Sequence, residues 1–357
     1  MIPVAKPIIG EEERAAVDRV LLSGMLAQGS EVAAFEQEFS ALVDGRHCVA
    51  VNSGTSALHL SLLAAGVGAG DEVIVPSFSF AATANAVHLA GATAVFADIE
   101  LDYFALDPAA VEAAITPRTR AIMPVHLYGH PANLVALADI AKRHNLLLLE
   151  DAAQAHAASV DGVPVGAWGD AASFSFYPTK NMTSGEGGMV TTASAEIARQ
   201  VRLLRNQGME KRYANEIIGF NTRMTDIHAA IGRVQLRKLA EWSEKRQSNA
   251  RFLSENLSGV ITPPNAPGAV HVFHQYTIRV EHDRDHFASE LTDRGVGNGI
   301  YYPTPIHRLP SFNLRLELPS TEVAAAQVLS LPVHPSLTQN ELETIVQTVN
   351  DVAKAGS

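Results

Sequence analysis

Leu146-Leu147-Leu148-Leu149-Glu150-Asp151-Ala152-Ala153-Gln154-Ala155-His156 is a short apolar run that ends in two adjacent carboxylates. The run is too short for a helix and lacks polar alternation, so it reads as a strand over 146–150, covered on both faces. A helix over 134–144 precedes it. Further upstream, strands over 48–51, 72–75, 93–97 and 121–124 alternate with helices over 56–65, 81–89 and 108–115. Downstream, strands near 172–176 and 188–191 flank a loop rich in Thr, Ser and Gly. Short apolar strands separated by helices of about ten residues predict an α/β fold with a mostly parallel central sheet.

The two ends extend this unit. Residues 11–22 carry acidic side chains in the first turn and Val17, Val20 and Leu21 on one face; residues 31–43 repeat the pattern with Val32, Phe35, Phe39 and Leu42, so two helices open the chain. A long helix starts at Thr225-Asp226, a capping pair, and presents Ile227, Ala230, Ile231, Val234, Leu236 and Leu239. Beyond it the pattern predicts strand 271–280, helix 285–294, strand 299–302 and helices 321–331 and 339–353. The Pro-rich segment Thr262-Pro263-Pro264-Asn265-Ala266-Pro267-Gly268 is the clearest break. The expected division is a large α/β domain over 1–250 and a smaller α+β domain over 251–357.

With 27 basic and 38 acidic residues the net charge is -11. Such a surface repels phosphate backbones, so nucleic acid is not an expected partner, and a phosphate-bearing ligand must be captured locally. The single cysteine, Cys48, allows no intrachain disulfide and sits in an apolar run, where it reads as a small buried hydrophobe. Met1-Ile2-Pro3-Val4-Ala5-Lys6-Pro7 lacks a basic segment followed by an apolar one, and no run approaches a membrane span; a cytoplasmic protein with no membrane association is expected. Among 14 histidines, the pair His126 and His130 flanks Gly129 and precedes Pro131, so the two do not share a helix face. No zinc-type spacing appears and no metal is expected.

In an open α/β sheet, ligands bind at the carboxyl ends of strands. Asn52-Ser53-Gly54-Thr55-Ser56 follows the first strand and opens a helix, which offers free N–H groups, a favourable dipole and hydroxyls to an anion. The plain alternative is an ordinary helix cap. Phe80 follows the second strand in Pro76-Ser77-Phe78-Ser79-Phe80 and offers a flat face to a planar cofactor, or to the core. Asp151 ends the strand at 146–150, where a buried carboxylate needs a cation. A protonated pyridine nitrogen is one such cation, and a helix-capping role is the alternative. Lys180 closes Phe174-Ser175-Phe176-Tyr177-Pro178-Thr179-Lys180 just beyond a strand, where desolvation would make it a usable amine nucleophile.

Taken together these motifs resemble the fold-type-I pyridoxal-phosphate (PLP) enzymes, and more closely the nucleotide-sugar aminotransferases of the DegT/StrS family. The resemblance begins at Ile2-Pro3 and the Ser23-Gly24 and Gln28-Gly29 turns. It runs through Ser53-Gly54-Thr55-Ser56-Ala57-Leu58, Gly70-Asp71-Glu72-Val73-Ile74-Val75-Pro76, Glu150-Asp151-Ala152-Ala153-Gln154, Phe174-Ser175-Phe176 and Lys180 with Gly185-Glu186-Gly187-Gly188. It ends at Gly219-Phe220-Asn221-Thr222-Arg223-Met224 and the Ala229-Ala230-Ile231-Gly232 helix, covering nearly the full length. Two stretches depart from the pattern: Asn206-Gln207-Gly208 stands where the family often has a histidine before the glycine, and Ala157-Ala158 where a Gly-Ala pair is usual.

The resemblance implies PLP as cofactor, carried by Lys180, which also shuttles the proton. It implies Asp151 as partner of the pyridine nitrogen, Gln154 beside the ring and its hydroxyl, and Phe80 stacked on the ring. Gly54, Thr55, Ser56 and Ser175 correspond to the phosphate cradle. Asn221 corresponds to a residue that reaches the cofactor phosphate of the other subunit, which implies a homodimer with shared active sites. The implied reaction is a ping-pong transfer from L-glutamate to a keto group of a nucleotide-diphosphate sugar. Arg223, Tyr302 and His307 are candidate substrate contacts, and the stretches around His274-Gln275-Tyr276-Thr277 and Tyr301-Tyr302-Pro303-Thr304-Pro305-Ile306-His307 look like members that aminate carbon three. Some members are dehydratases with histidine at the lysine position, which Lys180 argues against. The alternatives are a cyclitol-ketone aminotransferase and a non-catalytic PLP-fold regulator.

Overall fold

In the computed structural model, which describes residues 1–355, seven strands form one sheet. They are β1 (His47–Val51), β2 (Glu72–Pro76), β3 (Thr93–Ala97), β4 (Thr119–Ile122), β5 (Leu147–Asp151), β6 (Ala171–Ser175) and β7 (Gly188–Thr192). Their spatial order is β1-β7-β6-β5-β4-β2-β3. Strand β7 runs antiparallel to both neighbours, and the other neighbouring pairs are parallel. Six strands therefore point the same way, as expected for a mostly parallel sheet. Their carboxyl ends share one edge, and β7 starts at that edge because it is reversed.

The described residues form eleven α-helices: α1 (Glu11–Ser23), α2 (Ser30–Ser40), α3 (Gly54–Ala64), α4 (Ala82–Leu89), α5 (Pro108–Ala113), α6 (Leu134–His144), α7 (Ala195–Arg205), α8 (Asp226–Asn256), α9 (Arg284–Asp293), α10 (Pro319–Gln327) and α11 (Gln339–Ala355). Strand alternation splits the core in two. Cys48, Ala50, Ile74, Ile122, Leu148 and Phe174 pack with α2 and α6, whereas Val49, Val51, Val73, Val75, Leu149 and Val190 pack with α3, α4 and α7. Burial pushes the Cys48 thiol up to about 12, so it behaves as a small hydrophobe. Phe35, Phe39, Phe174 and Phe176 are fully buried with ring centroids 5.1 to 6.0 Å apart. Each such ring contributes roughly 1.5–3 kcal/mol by burial, and Phe176 anchors the loop that carries Lys180.

The long helix α8 is capped by Thr225, whose side chain accepts from the His228 amide. Asp226 does something else: its carboxylate accepts from the Gly29 (2.7 Å) and Val32 (3.1 Å) amides and so caps α2, whose own N-cap glycine has no side chain. The last turns of α8 (Ala250, Leu253) join Ile2 and the C-terminal residues Tyr276, Ile278, Leu329, Ile345 and Val349 in a separate apolar cluster.

Several expected elements differ. Helix α7 was not read from the sequence, although Ser194 caps it. The expected helix over 321–331 stops at Gln327, because Val328–Leu331 pairs antiparallel with Tyr276–Arg279 and is buried throughout. That pairing, made across 49 positions of sequence at its closest (Arg279 with Val328), overrides a local pattern that fitted a helix. Only Tyr276–Arg279, in the second half of 271–280, is strand. Residues 299–302 form no strand; Gly299 makes an isolated bridge to Ser330, and Tyr301 and Tyr302 line a cavity instead. Ala157 adopts φ 68°, the left-handed region, which accounts for glycine being usual there in the resembled family.

Candidate active site

Strand β1 delivers Val51 to the sheet edge, and Ser53 then caps α3 by accepting from the Ser56 amide (3.1 Å). The cap reading is thus correct for Ser53, and the N–H groups of Gly54 and Thr55 have no intrahelical partner. A Cβ on Gly54 would stand 2.6 Å from the Ser175 Cβ, so only glycine lets α3 start against β6. Thr55 and Ser175 border one cavity of about 520 Å³. Ser56 does not border it: its hydroxyl donates to Asn52 Oδ1 (2.7 Å).

The two carboxylates at the end of β5 point to opposite faces. Glu150 is buried and accepts from the amides of Gly166 (2.9 Å), Trp168 (3.1 Å) and Gly169 (2.9 Å), with His126 Nε2 at 3.1 Å. Burial alone would raise this carboxyl, but His126 and the amides hold it below the usual range. Asp151 faces the cavity at 4% exposure. Its Oδ2 accepts from Thr83 Oγ1 (2.8 Å) and its Oδ1 from the Ala153 amide (3.2 Å). No helix starts here, so Asp151 is not a helix cap. Burial raises its carboxyl above the ordinary range, against the two hydrogen bonds and Lys180.

Lys180 lies on the loop between β6 and β7, held by Lys180 N–H to Tyr177 O (3.0 Å) and by Thr183 Oγ1 to Phe176 O (2.8 Å). It keeps a partly accessible face toward the cavity it lines, yet it sits deep enough that desolvation lowers its amine to about 8, with Asp151 opposing. Gln154 accepts from the Tyr128 amide (2.7 Å) through Oε1 and donates to the Tyr302 hydroxyl (3.2 Å) through Nε2. Phe80 is 59% exposed and stands over the same cavity, its ring 6.0 Å from that of Tyr302. An amine, a buried carboxylate, an aromatic face and a helix N-terminus thus surround one space.

Besides Ser56, three expected residues lie elsewhere. Asn221 is exposed and bridges Asn206, and Arg223 donates to Asn206 Oδ1 (2.8 Å); neither borders this chain's cavity. His307 is wholly buried behind the cavity wall, its Nδ1 2.7 Å from Ser77 Oγ and its Nε2 3.3 Å from Glu322. His307 does not border this chain's cavity. Two cavity residues, Thr83 and Arg246, were not anticipated. Arg246 carried a signal: it is a cation on the stripe of α8 that otherwise buries Leu239, Trp242, Ala250 and Leu253. Among the described residues no group of His, Cys, Asp or Glu is arranged to hold a metal ion, and no helix is long and apolar enough to cross a membrane.

A model of the DegT/DnrJ/EryC1/StrS aminotransferase family matches residues 7–350. The chain belongs to this family. It is 47% identical over 96% of its length, and 94% of the relative's, to the erythromycin biosynthesis sensory transduction protein EryC1 of Saccharopolyspora erythraea. It is 43% identical to the dTDP-3-amino-3,4,6-trideoxy-alpha-D-glucose transaminase of Streptomyces venezuelae, covering 96% of this chain and 92% of that one. The crystal structure of S. venezuelae DesV in complex with a ketimine intermediate superposes with a TM-score of 0.93 at 43% identity, over 96% of this chain and 94% of that one. As a DegT/DnrJ/EryC1/StrS aminotransferase, the chain has one cavity that gathers eight of the twelve expected site residues: Gly54, Thr55, Phe80, Asp151, Gln154, Ser175, Lys180 and Tyr302.

Proposed function

We propose that this aminotransferase uses pyridoxal 5'-phosphate, carried on Lys180, to move an amino group from L-glutamate to a keto group of a nucleotide-linked deoxysugar, with carbon three as the preferred position. The observation that carries the reading is the meeting, around one cavity, of a desolvated lysine amine and a buried carboxylate held in place by Thr83 and the Ala153 amide.

The residues fit the cofactor. The start of α3, which a Cβ on Gly54 would obstruct, suits a phosphate, with Thr55 and Ser175 as hydroxyl donors. When bound, PLP supplies an electron sink for bond changes at the amine-bearing carbon. Asp151 keeps the proton on the pyridine nitrogen, and Thr83 fixes the carboxylate in place. Gln154 would lie beside the ring hydroxyl of the bound cofactor, and Phe80 would cover its ring. The Lys180 amine would move the proton at the substrate carbon, as general base and then as general acid.

Asn221, turned away from its own cavity, serves the phosphate site of a second copy, so the enzyme is a homodimer with shared sites. Arg223 and Tyr302 contact the sugar nucleotide. Carbon three is favoured by the name of the S. venezuelae transaminase and by the resemblance around 274–277 and 301–307. The name of EryC1 favours a second, regulatory reading, and the presence of both Lys180 and Asp151 speaks against it. The test is to incubate the PLP-loaded protein with L-glutamate and a panel of 3-keto and 4-keto sugar nucleotides, reading product stereochemistry by NMR. A 3-amino sugar is expected; no amino sugar from any member of the panel favours the regulatory reading.

A further inference from the structure

Thr83 reaches out of its own helix. It sits in the first turn of α4 and is 1% exposed. A helical threonine commonly turns its hydroxyl back to the backbone. Thr83 instead donates to Asp151 Oδ2 (2.8 Å), on β5 and 68 positions along the chain. Behind it, at 3.0 Å, lies the buried Ser79 Oγ. An ionised carboxylate only accepts, and a hydroxyl has one proton to give. Thr83 gives its proton to Asp151, so toward Ser79 it must accept, and the Ser79 hydroxyl donates. The chain of hydrogen bonds therefore has one direction, from Ser79 through Thr83 to Asp151. The same turn carries Phe80, whose carbonyl accepts from the Thr83 amide (3.2 Å).

Asp151 has little other freedom. Its amide donates to Pro124 O (2.8 Å) and its carbonyl accepts from the His126 amide (3.1 Å), so its backbone is pinned. Rotation of the carboxylate is what remains, and Thr83 on Oδ2 and the Ala153 amide on Oδ1 fix it. The titratable groups that face it are Lys180 from the loop after β6, His126 after β4 and Tyr302 from the C-terminal segment. Burial pushes the carboxyl up, and Thr83 opposes this more than the Ala153 amide, Lys180 or His126 does. A donor behind the donor strengthens the bond, because the Ser79 proton polarises the Thr83 hydroxyl. Packing of α4 alone would be served as well by valine, which has the shape of threonine without the proton.

We infer that Thr83, oriented by Ser79, is a positioning residue that acts through Asp151: the directed pair of hydroxyls keeps the carboxylate ionised and turned toward the place of the pyridine nitrogen, an inference that rests on the PLP-dependent reading above. Thr83 then controls how well Asp151 holds the ring proton, and not the grip on the phosphate at α3. Both half-reactions use the same ring, so both depend on Thr83 to the same degree, and the binding of neither substrate does.

The test uses the full-length protein without and with PLP. In the cofactor-free protein the Asp151 carboxyl is titrated by infrared difference spectroscopy, its band identified by its loss in Asp151→Asn. In Thr83→Val the midpoint rises by roughly one to two pH units, the shift expected on losing one hydrogen bond to a charged group. In the loaded protein the single-turnover rate of each half-reaction falls roughly tenfold to a hundredfold, while PLP affinity and the apparent affinity for each substrate change by less than about threefold. Thr83→Ser, which keeps the hydroxyl, restores most of the midpoint and of both rates. Ser79→Ala moves them in the same direction by less, and carries the test if Thr83→Val does not fold. An Asp151 midpoint unmoved in Thr83→Val, or in Ser79→Ala where that variant stands in for it, overturns the assignment. So does a loss as large in Thr83→Ser, or weaker PLP binding at unchanged rates. A midpoint that responds to Thr83→Val in a protein that makes no amino sugar keeps the hydroxyl pair and refutes the proposed reaction instead.

Discussion

Asp151→Asn separates electronic control from mere binding. Asparagine keeps the size of the side chain, and its Oδ1 still accepts from the Ala153 amide at 3.2 Å. Its Nδ2 faces Thr83 Oγ1, 2.8 Å from the present carboxylate oxygen, and that hydroxyl can turn to Ser79 Oγ at 3.0 Å. The packing survives, so the fold and the phosphate site stay intact. What disappears is the charge. Removing one member of a buried ion pair costs about 3–5 kcal/mol, and each 1.4 kcal/mol is about a factor of ten. Turnover should therefore fall by about two to nearly four orders of magnitude at equal cofactor occupancy. The assay compares occupancy, from visible absorbance of the bound cofactor, with the rate of amino-sugar formation. In the cofactor-free protein the sign reverses. Burial raises the Asp151 carboxyl, so its ionised form costs stability as pH rises through the folded value, and Asp151→Asn is at least as stable as the parent at neutral pH. Near-normal turnover at full occupancy refutes the reasoning and assigns the pyridine nitrogen to another partner.

Gly54→Ala places a Cβ 2.6 Å from the Ser175 Cβ and should cost about 1–3 kcal/mol of stability, with weaker cofactor binding because α3 must move off β6; an unchanged melting temperature and PLP affinity contradict this. The Lys180 amine at about 8 is neutral in about one molecule in ten at pH 7, against about three in ten thousand for an ordinary lysine. Covalent capture of PLP by the cofactor-free protein, followed by stopped-flow absorbance, should rise about tenfold per pH unit and level off above about pH 8; a rate still climbing steeply at pH 10 contradicts the shift. Mixing Lys180→Ala with Asn221→Ala should restore about a quarter of wild-type activity, since about half the dimers are mixed and each mixed dimer holds one intact site of two; no recovery after subunit exchange contradicts shared sites.

The sheet and most of its helices were legible because β1 to β7 and α3 to α6 follow local rules: apolar runs, cap residues and breaks at Gly and Asn. Residues at strand ends were legible for the same reason, and Thr55, Asp151, Ser175 and Lys180 do meet at one cavity. The C-terminal elements were less so. Val328–Leu331 becomes a strand only by pairing with Tyr276–Arg279, and no short-range pattern encodes that partner. Thr83 reaches Asp151 across 68 positions of sequence, and His307 packs behind Ser77 across 230, so neither relation is visible along the chain. His307 in particular sits in a Pro-rich loop that reads as exposed, and only the fold shows the loop folded back into the core. Asp226 likewise reads as part of the α8 cap, yet it caps α2, nearly 200 residues upstream.

The central claim is that Lys180 carries the cofactor and moves the proton. Lys180→Ala, purified and loaded with PLP, should retain the cofactor by its phosphate contacts, lose the absorbance of the lysine-bound form, and form no amino sugar from L-glutamate and the best keto-sugar nucleotide. A Lys180→Ala protein that transfers the amino group at the wild-type rate would contradict the account.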